Sequence, residues 1–157
     1  MRAAVLTVSD RASAGRLTDE SGPAVERLLR GVGFEVGPVA VVPDELDRIA
    51  EFLLARCEDH DLVVTSGGTG LGPRDRTPEA TRGLLDYEVP GLAELMRSAG
   101  FAKTPLAALS RSLAGVRGRT LIVNLPGSMK GATESLEAIL PVLGHAVRLL
   151  KGETEHR

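Results

Sequence analysis

Val63-Val64-Thr65-Ser66-Gly67-Gly68-Thr69-Gly70-Leu71-Gly72-Pro73-Arg74-Asp75-Arg76-Thr77-Pro78-Glu79-Ala80 runs from apolar residues through a loop with four glycines into a charged elbow and a helix start. Asp61 to Thr65 reads as a short buried strand, apolar and β-branched. The glycines let the backbone take positive φ and bring N–H groups close to a ligand. Thr77 is a good N-cap and Pro78 suits the first helical position, so a helix is expected from residue 77. A glycine-rich turn between a strand and a helix is where α/β proteins hold anions. The loop is therefore read as a phosphate cradle.

It matches neither of the two commonest phosphate loops. A Walker loop ends in Gly-Lys-Ser/Thr, and no lysine lies between residues 1 and 102. The dinucleotide fingerprint fails as well, because its third glycine would fall on Pro73. That weighs against a nucleotide-dependent oxidoreductase on a similar sheet. The plainer alternative for the loop itself is a long surface turn, since glycines collect in turns.

Working outward, strands and helices alternate over the first hundred residues. Ala3–Val8 is the first expected strand, ending at Ser9-Asp10, and a polar stretch reaches Asp19. A helix through Ala24–Leu29 stops near Gly31 and Gly33. Phe34–Val42 follows as a second strand, and Leu46, Ile49, Leu53 and Leu54 place a helix over Asp44–Glu58. After the glycine loop come helices over 77–85 and Gly91–Ser98. Ser110–Val116 and Thr120–Asn124 read as neighbouring strands around Gly118. A last amphipathic helix spans Met129–Lys151, and the polar tail 152–157 is expected to fray. This pattern implies an α/β fold: one three-layer domain over residues 1–157, a mostly parallel sheet with helices on both faces. Ligands in such sheets sit outside the carboxyl ends of the strands, where loops 9–22, 66–76 and 125–128 emerge.

Composition narrows the function. The chain has 157 residues, 43% apolar and 25% charged, with a net charge of −2, which argues against non-specific nucleic-acid binding or a polybasic membrane anchor. Aromatics are 3% with no Trp, so a base-stacking surface lacks building blocks. Cys57 stands alone and reads as a core residue, and no zinc spacing exists among it and the three histidines. No run approaches a membrane span or a signal segment, which leaves the cytoplasm as the expected location.

Several residues are candidates for chemistry. Asp75, between Arg74 and Arg76, is either a solvated loop carboxylate or a ligand for Mg²⁺ arriving with a nucleotide. Asp44 in Pro43-Asp44-Glu45-Leu46 is either a helix N-cap or a second acid at the same sheet edge. Ser9 and Asp10 end the first strand, where they can meet a ligand. Asp19, Ser21 and Gly22 open the next helix, either as simple caps or as ligand contacts. Pro126-Gly127-Ser128 offers a second strand-to-helix anion nest.

Thr65-Ser66-Gly67-Gly68-Thr69-Gly70 followed by Pro73-Arg74-Asp75 and Thr77-Pro78-Glu79-Ala80-Thr81 closely resembles the MoaB/Mog molybdopterin-binding family. That family includes the molybdopterin adenylyltransferases and matching domains of gephyrin and its plant counterpart. Ser9-Asp10, Asp19-Glu20-Ser21-Gly22, Val42-Pro43-Asp44, Ser110-Arg111, Ala114-Gly115 and Asn124-Leu125-Pro126-Gly127 extend the likeness, in order, over nearly the whole chain.

The resemblance implies adenylylation of molybdopterin by Mg-ATP, releasing pyrophosphate, in molybdenum cofactor biosynthesis. It makes Asp44 and Asp75 the catalytic and metal-binding acids. It makes the loop Thr65–Gly70 with Arg74, Ser9, Asp10 and Pro126-Gly127-Ser128 substrate-binding. Ser110-Arg111 resembles a family pair on the pterin side, with the arginine as a phosphate clamp. It further implies a homotrimer and a molybdenum-insertion protein as partner. A molybdopterin-binding carrier or scaffold module without turnover is the alternative.

Overall fold

A computed structural model describes residues 1–153, so part of the tail expected to fray lies outside the described residues. The elements run β1 (Arg2–Val8), α1 (Asp10–Ser13), α2 (Ser21–Gly31), β2 (Glu35–Val36), β3 (Ala40–Val42), α3 (Leu46–Cys57) and β4 (Leu62–Ser66). They continue with α4 (Thr77–Arg82), β5 (Tyr87–Glu88), α5 (Pro90–Phe101), a 3₁₀ turn (Pro105–Leu109), β6 (Ala114–Arg117), β7 (Thr120–Leu125) and α6 (Met129–Leu150).

One seven-stranded sheet has the order β2-β1-β4-β7-β6-β5, with β3 also paired to β1. The pairs β1–β2, β1–β3, β1–β4 and β4–β7 are parallel, while β6 is antiparallel to both β5 and β7. The expected mostly parallel sheet is present, with an antiparallel margin created by the short Gly118 turn.

The central strands β4 and β7 are buried at every position, which is why they read as largely apolar runs. Alternate side chains feed two cores. Val5, Leu62, Val64, Leu121 and Val123 pack with Val25, Met96, Leu136 and Ile139 from α2, α5 and α6. Leu6, Val63 and Ile122 pack on the other face with Ile49, Leu53 and Ala80 from α3 and α4.

Three sequence expectations are corrected. Phe34–Val42 is not one strand: Glu35–Val36 pairs with the start of β1 and Ala40–Val42 with its end. Ala3 to Leu6 is three steps on β1 but Val36 to Ala40 is four on its partner, so the chain bulges where Pro38 has no N–H for the ladder. Ser110–Leu113 stays outside β6, and a 3₁₀ turn over Pro105–Leu109 precedes it. The short α1 appears within the polar stretch, capped by Ser9 Oγ accepting from the Ala12 N–H. Helix α4 begins at Thr77 as expected but ends at Arg82 rather than 85, and α3 begins at Leu46 rather than Asp44. Among the described residues no helix is long and apolar enough to cross a membrane.

Ile139 is fully buried in the α6 core, whereas Val142 on the same helix is exposed. Ile139→Ala is expected to lower unfolding free energy by about 2–5 kcal/mol in urea titration, and Val142→Ala by less than about 0.5 kcal/mol.

Candidate active site

The carboxyl ends of β1, β4 and β7 lie side by side, because Leu6↔Thr65 and Thr65↔Asn124 are register partners. The three loops leaving them are stitched together. Ser66 Oγ lies 2.9 Å from the Pro126 carbonyl oxygen and 3.0 Å from Ser21 Oγ. The Gly67 N–H donates to the Leu125 carbonyl at 3.0 Å. Gly67 has φ +106°, and a Cβ there would collide with the Val8 carbonyl oxygen. Gly68, at φ +69°, has no room for one against Thr77 Oγ1. Both positions therefore require glycine.

Two cavities meet at this junction. The first, about 470 Å³, is bounded by the glycine loop, α5, the 3₁₀ turn and the start of α6. The second, about 590 Å³, is bounded by loop 9–21, Asp44 and the glycine loop. Gly68, Asp75, Gly127 and Ser128 line both. The amides of Gly68, Thr69, Gly70, Gly127 and Ser128 have no acceptor among the described residues. These unengaged donors are what an anion nest requires. Ser128 caps α6, its Oγ accepting from the Gly131 N–H at 3.0 Å.

Asp75 holds the loop to itself. Its N–H donates to the Gly72 carbonyl at 3.1 Å, and its Oδ2 accepts from the Gly72 N–H at 2.9 Å. Its other carboxylate oxygen is left for a ligand. Asp44 is not a helix cap, contrary to the capping reading: Glu45 holds the N-cap position of α3 and makes no side-chain cap bond. Asp44 instead exchanges two bonds with Asp10. Asp44 Oδ2 accepts from the Asp10 N–H at 3.0 Å, and the Asp44 N–H donates to Asp10 Oδ1 at 2.9 Å. Arg74 closes the group by donating from Nε and Nη2 to both Asp10 oxygens, at 2.6 and 3.0 Å. Asp10 and Arg74, both read as substrate-binding, are thus bonded to each other, and the pair sets where Asp44 stands.

Arg111 is likewise engaged within the protein. Nε donates to the Gly70 carbonyl, Nη2 to the Asp75 carbonyl and Nη1 to Glu79 Oε2, at 2.8, 3.0 and 2.7 Å. Three of the five guanidinium N–H groups are thus committed to bracing the back of the glycine loop. Thr65 is fully buried and its Oγ1 accepts from Asn124 Nδ2 at 3.0 Å, away from both cavities. Thr69, Gly70, Ser110 and Pro126 line the first cavity, and Ser9, Ser66 and Gly67 the second.

Thr77 is not the N-cap of α4 but its first residue, held there as its N–H donates to the Gly68 carbonyl at 3.1 Å. Its Oγ1 is buried behind Gly68 without a partner among the described residues. Asp19 does cap α2 in effect: Oδ1 accepts from the Gly22 N–H and Oδ2 from Thr7 Oγ1, at 3.1 and 2.7 Å. The sequence reading missed Arg97, Thr104, Arg16 and Glu134, which also line the cavities. Arg97 and Glu134 sit inside amphipathic helices, and their spacing there gave no sign of a role.

The electrostatics follow from these contacts. The Arg74 hydrogen bond, helped by the Asp44 amide, holds the Asp10 carboxyl below the usual range. Burial raises Asp44 above it, and repulsion from Asp10 and Asp75 adds to the rise. Two carboxylates thus face one cavity, each with an uncommitted oxygen. Such an oxygen-only set suits Mg²⁺, whose shell phosphates and water complete.

A family model described as a probable molybdopterin binding domain matches residues 4–145. The chain is 43% identical to the molybdopterin adenylyltransferase of Helicobacter pylori strain J99, covering 94% of this chain and 86% of that protein. It is 38% identical to Dictyostelium discoideum gephyrin over 95% of this chain and 22% of gephyrin. The crystal structure of the molybdopterin biosynthesis enzyme MoaB from Thermus thermophilus superposes with a TM-score of 0.91 at 59% identity, covering 96% of each chain.

A raised Asp44 means that the folded state binds this proton more tightly than the unfolded chain. The stabilisation is complete below the ordinary aspartate value of 3.8 and is lost as pH rises through the higher folded value. Asp44→Asn keeps an oxygen to accept from Asp10 and removes the charge. Its thermal midpoint is expected to equal or exceed that of the wild type at neutral pH, with the difference vanishing in acid. Differential scanning calorimetry from pH 3 to 8 checks this; a midpoint lowered at neutral pH contradicts it.

Proposed function

We propose, for a chain that belongs to the family of probable molybdopterin binding domains, that it works in molybdenum cofactor biosynthesis as a molybdopterin adenylyltransferase. The observation that carries this reading is the meeting of two cavities at Gly68, Asp75, Gly127 and Ser128. A transfer between two bulky substrates needs a separate berth for each, with their phosphates brought to one wall. The pterin occupies the first cavity, beside Ser110, and ATP the second, beside Ser9, Ser66 and Asp44.

In the reaction, an oxygen of the molybdopterin phosphate bonds to the α-phosphorus of ATP. The bridging bond to the β-phosphate breaks, and pyrophosphate leaves with the electron pair. No protein nucleophile is needed, so the residues supply position and charge. Amides of Gly68, Thr69 and Gly70 on one side, and of Gly127 and Ser128 on the other, receive phosphate oxygens. Asp44 and Asp75 would hold Mg²⁺, which when bound offsets the charge of the phosphates. Arg74 and Asp10 act through Asp44 by fixing its carboxylate, and Arg111 acts through the loop. Thr65 supports the strand end from within.

The same reading includes a cytoplasmic location, a molybdenum-insertion protein as the recipient of product, and a homotrimer. Light scattering after size exclusion checks the assembly, with a mass three times that of the chain expected.

The decisive test mixes the full chain with molybdopterin and Mg-ATP and follows adenylylated pterin and pyrophosphate by chromatography. Product that depends on the metal is expected. Asp75→Asn is expected to keep its fold by circular dichroism and lose at least about a hundredfold in turnover, the scale of a lost charge-stabilising group. Near-normal turnover in that variant removes Asp75 from the mechanism. Tight pterin binding without product moves the chain to the carrier reading.

A further inference from the structure

Besides Asp75, the first cavity carries two unlike charges that are not paired with each other. Arg97 enters from α5 and Glu134 from α6, and both line it. Arg97 is pinned by Nη1, which donates to the Ser112 carbonyl at 2.7 Å and the Ser110 carbonyl at 3.4 Å. Its Nε and Nη2 have no acceptor among the described residues, and no carboxylate there comes within 4.0 Å of it. Glu134, whose side chain is only 19% exposed, has one ionic partner, Lys103 Nζ at 3.3 Å. Lys103 is itself 53% exposed and lies outside the cavity wall, so the carboxylate is steadied from solvent while facing inward.

A fixed guanidinium and a sheltered carboxylate lining one cavity ask for a flat ligand with donors beside an acceptor. A 2-amino-4-oxopyrimidine ring has that edge: the 2-amino group and N3–H donate side by side, and O4 accepts next to them. Carboxylates take paired N–H donors in bidentate fashion, and guanidinium N–H groups suit a carbonyl. Met96, Leu106 and Leu109 give the same cavity apolar surface for the ring faces.

Resting on the reading that this cavity is the pterin berth, we propose that Glu134 and Arg97 are the specificity-determining pair that reads the 2-amino-4-oxo edge of the pterin ring. The carboxylate selects for the exocyclic amine, and the guanidinium for O4. Neither group bonds to Asp44 or Asp75, so their effect falls on pterin affinity rather than on transfer.

Steady-state adenylylation by the full chain tests the proposal. Glu134→Gln is expected to raise KM for molybdopterin by about tenfold or more, the loss of one charge-assisted contact, with kcat and KM for ATP unchanged. Lys103→Ala removes the outer ion pair but keeps the carboxylate, and is expected to behave like the wild type. An unchanged KM in Glu134→Gln overturns the proposal, as does a Lys103→Ala variant that matches it. If the wild type forms no product, the adenylyltransferase reading fails separately. Calorimetric titration with 2-amino-4-oxopteridine and with 2,4-dioxopteridine then decides the pair alone. A preference for the amino compound that Glu134→Gln abolishes supports it; no preference, or one the variant keeps, overturns it.

Discussion

The site depends on one close approach of backbone to backbone. At the end of β4 the chain turns through Gly67 so tightly that no side chain fits against the Val8 carbonyl of β1, and its N–H is tied to Leu125 of β7. Three parallel strands are thereby locked at their carboxyl ends, and the amides beyond them turn outward. Gly127 comes close to the Gly67 backbone from the other side, so the second anion nest lies against the first. The sheet supplies the direction, and the glycine supplies the closeness.

Around that junction most charged groups serve to hold something else. Arg74 fixes Asp10, Asp10 fixes Asp44, and Arg111 grips two loop carbonyls and Glu79. Arg74 and Arg111 leave the cavities with few cations and a surplus of carboxylate, suited to phosphates that arrive with a metal. Burial raises the Asp44 carboxyl, and the neighbouring carboxylates of Asp10 and Asp75 add to that rise.

The sequence made the sheet legible because its central strands are largely apolar and the loop between β4 and α4 is punctuated by glycine. It made the location of the site legible for the same reason. Individual roles were harder to read. Pro43-Asp44 has the residues of a helix cap, yet its partner is Asp10, thirty-four residues away. Thr77 has the chemistry of a cap too, but the loop draws it one step into the helix. Arg111 beside Ser110 invites a phosphate until its acceptors across the loop are seen. Local pattern names the bonds a residue is able to make, and only the packed chain decides which are made. Arg97 and Glu134 were illegible for the converse reason: inside a helix, a charged residue facing a cavity has the same spacing as one facing water.

The margins of the sheet have their own consequence. One edge is divided by Pro38 into strands of two and three residues, and the other ends in β5, also two residues long. Such short, interrupted borders offer another chain almost no row of free amides and carbonyls to copy. Runaway growth of the sheet from molecule to molecule is therefore blocked at both sides, although its interior strands are as apolar as any aggregating segment. Copies that assemble are left to meet through side chains on helices and loops.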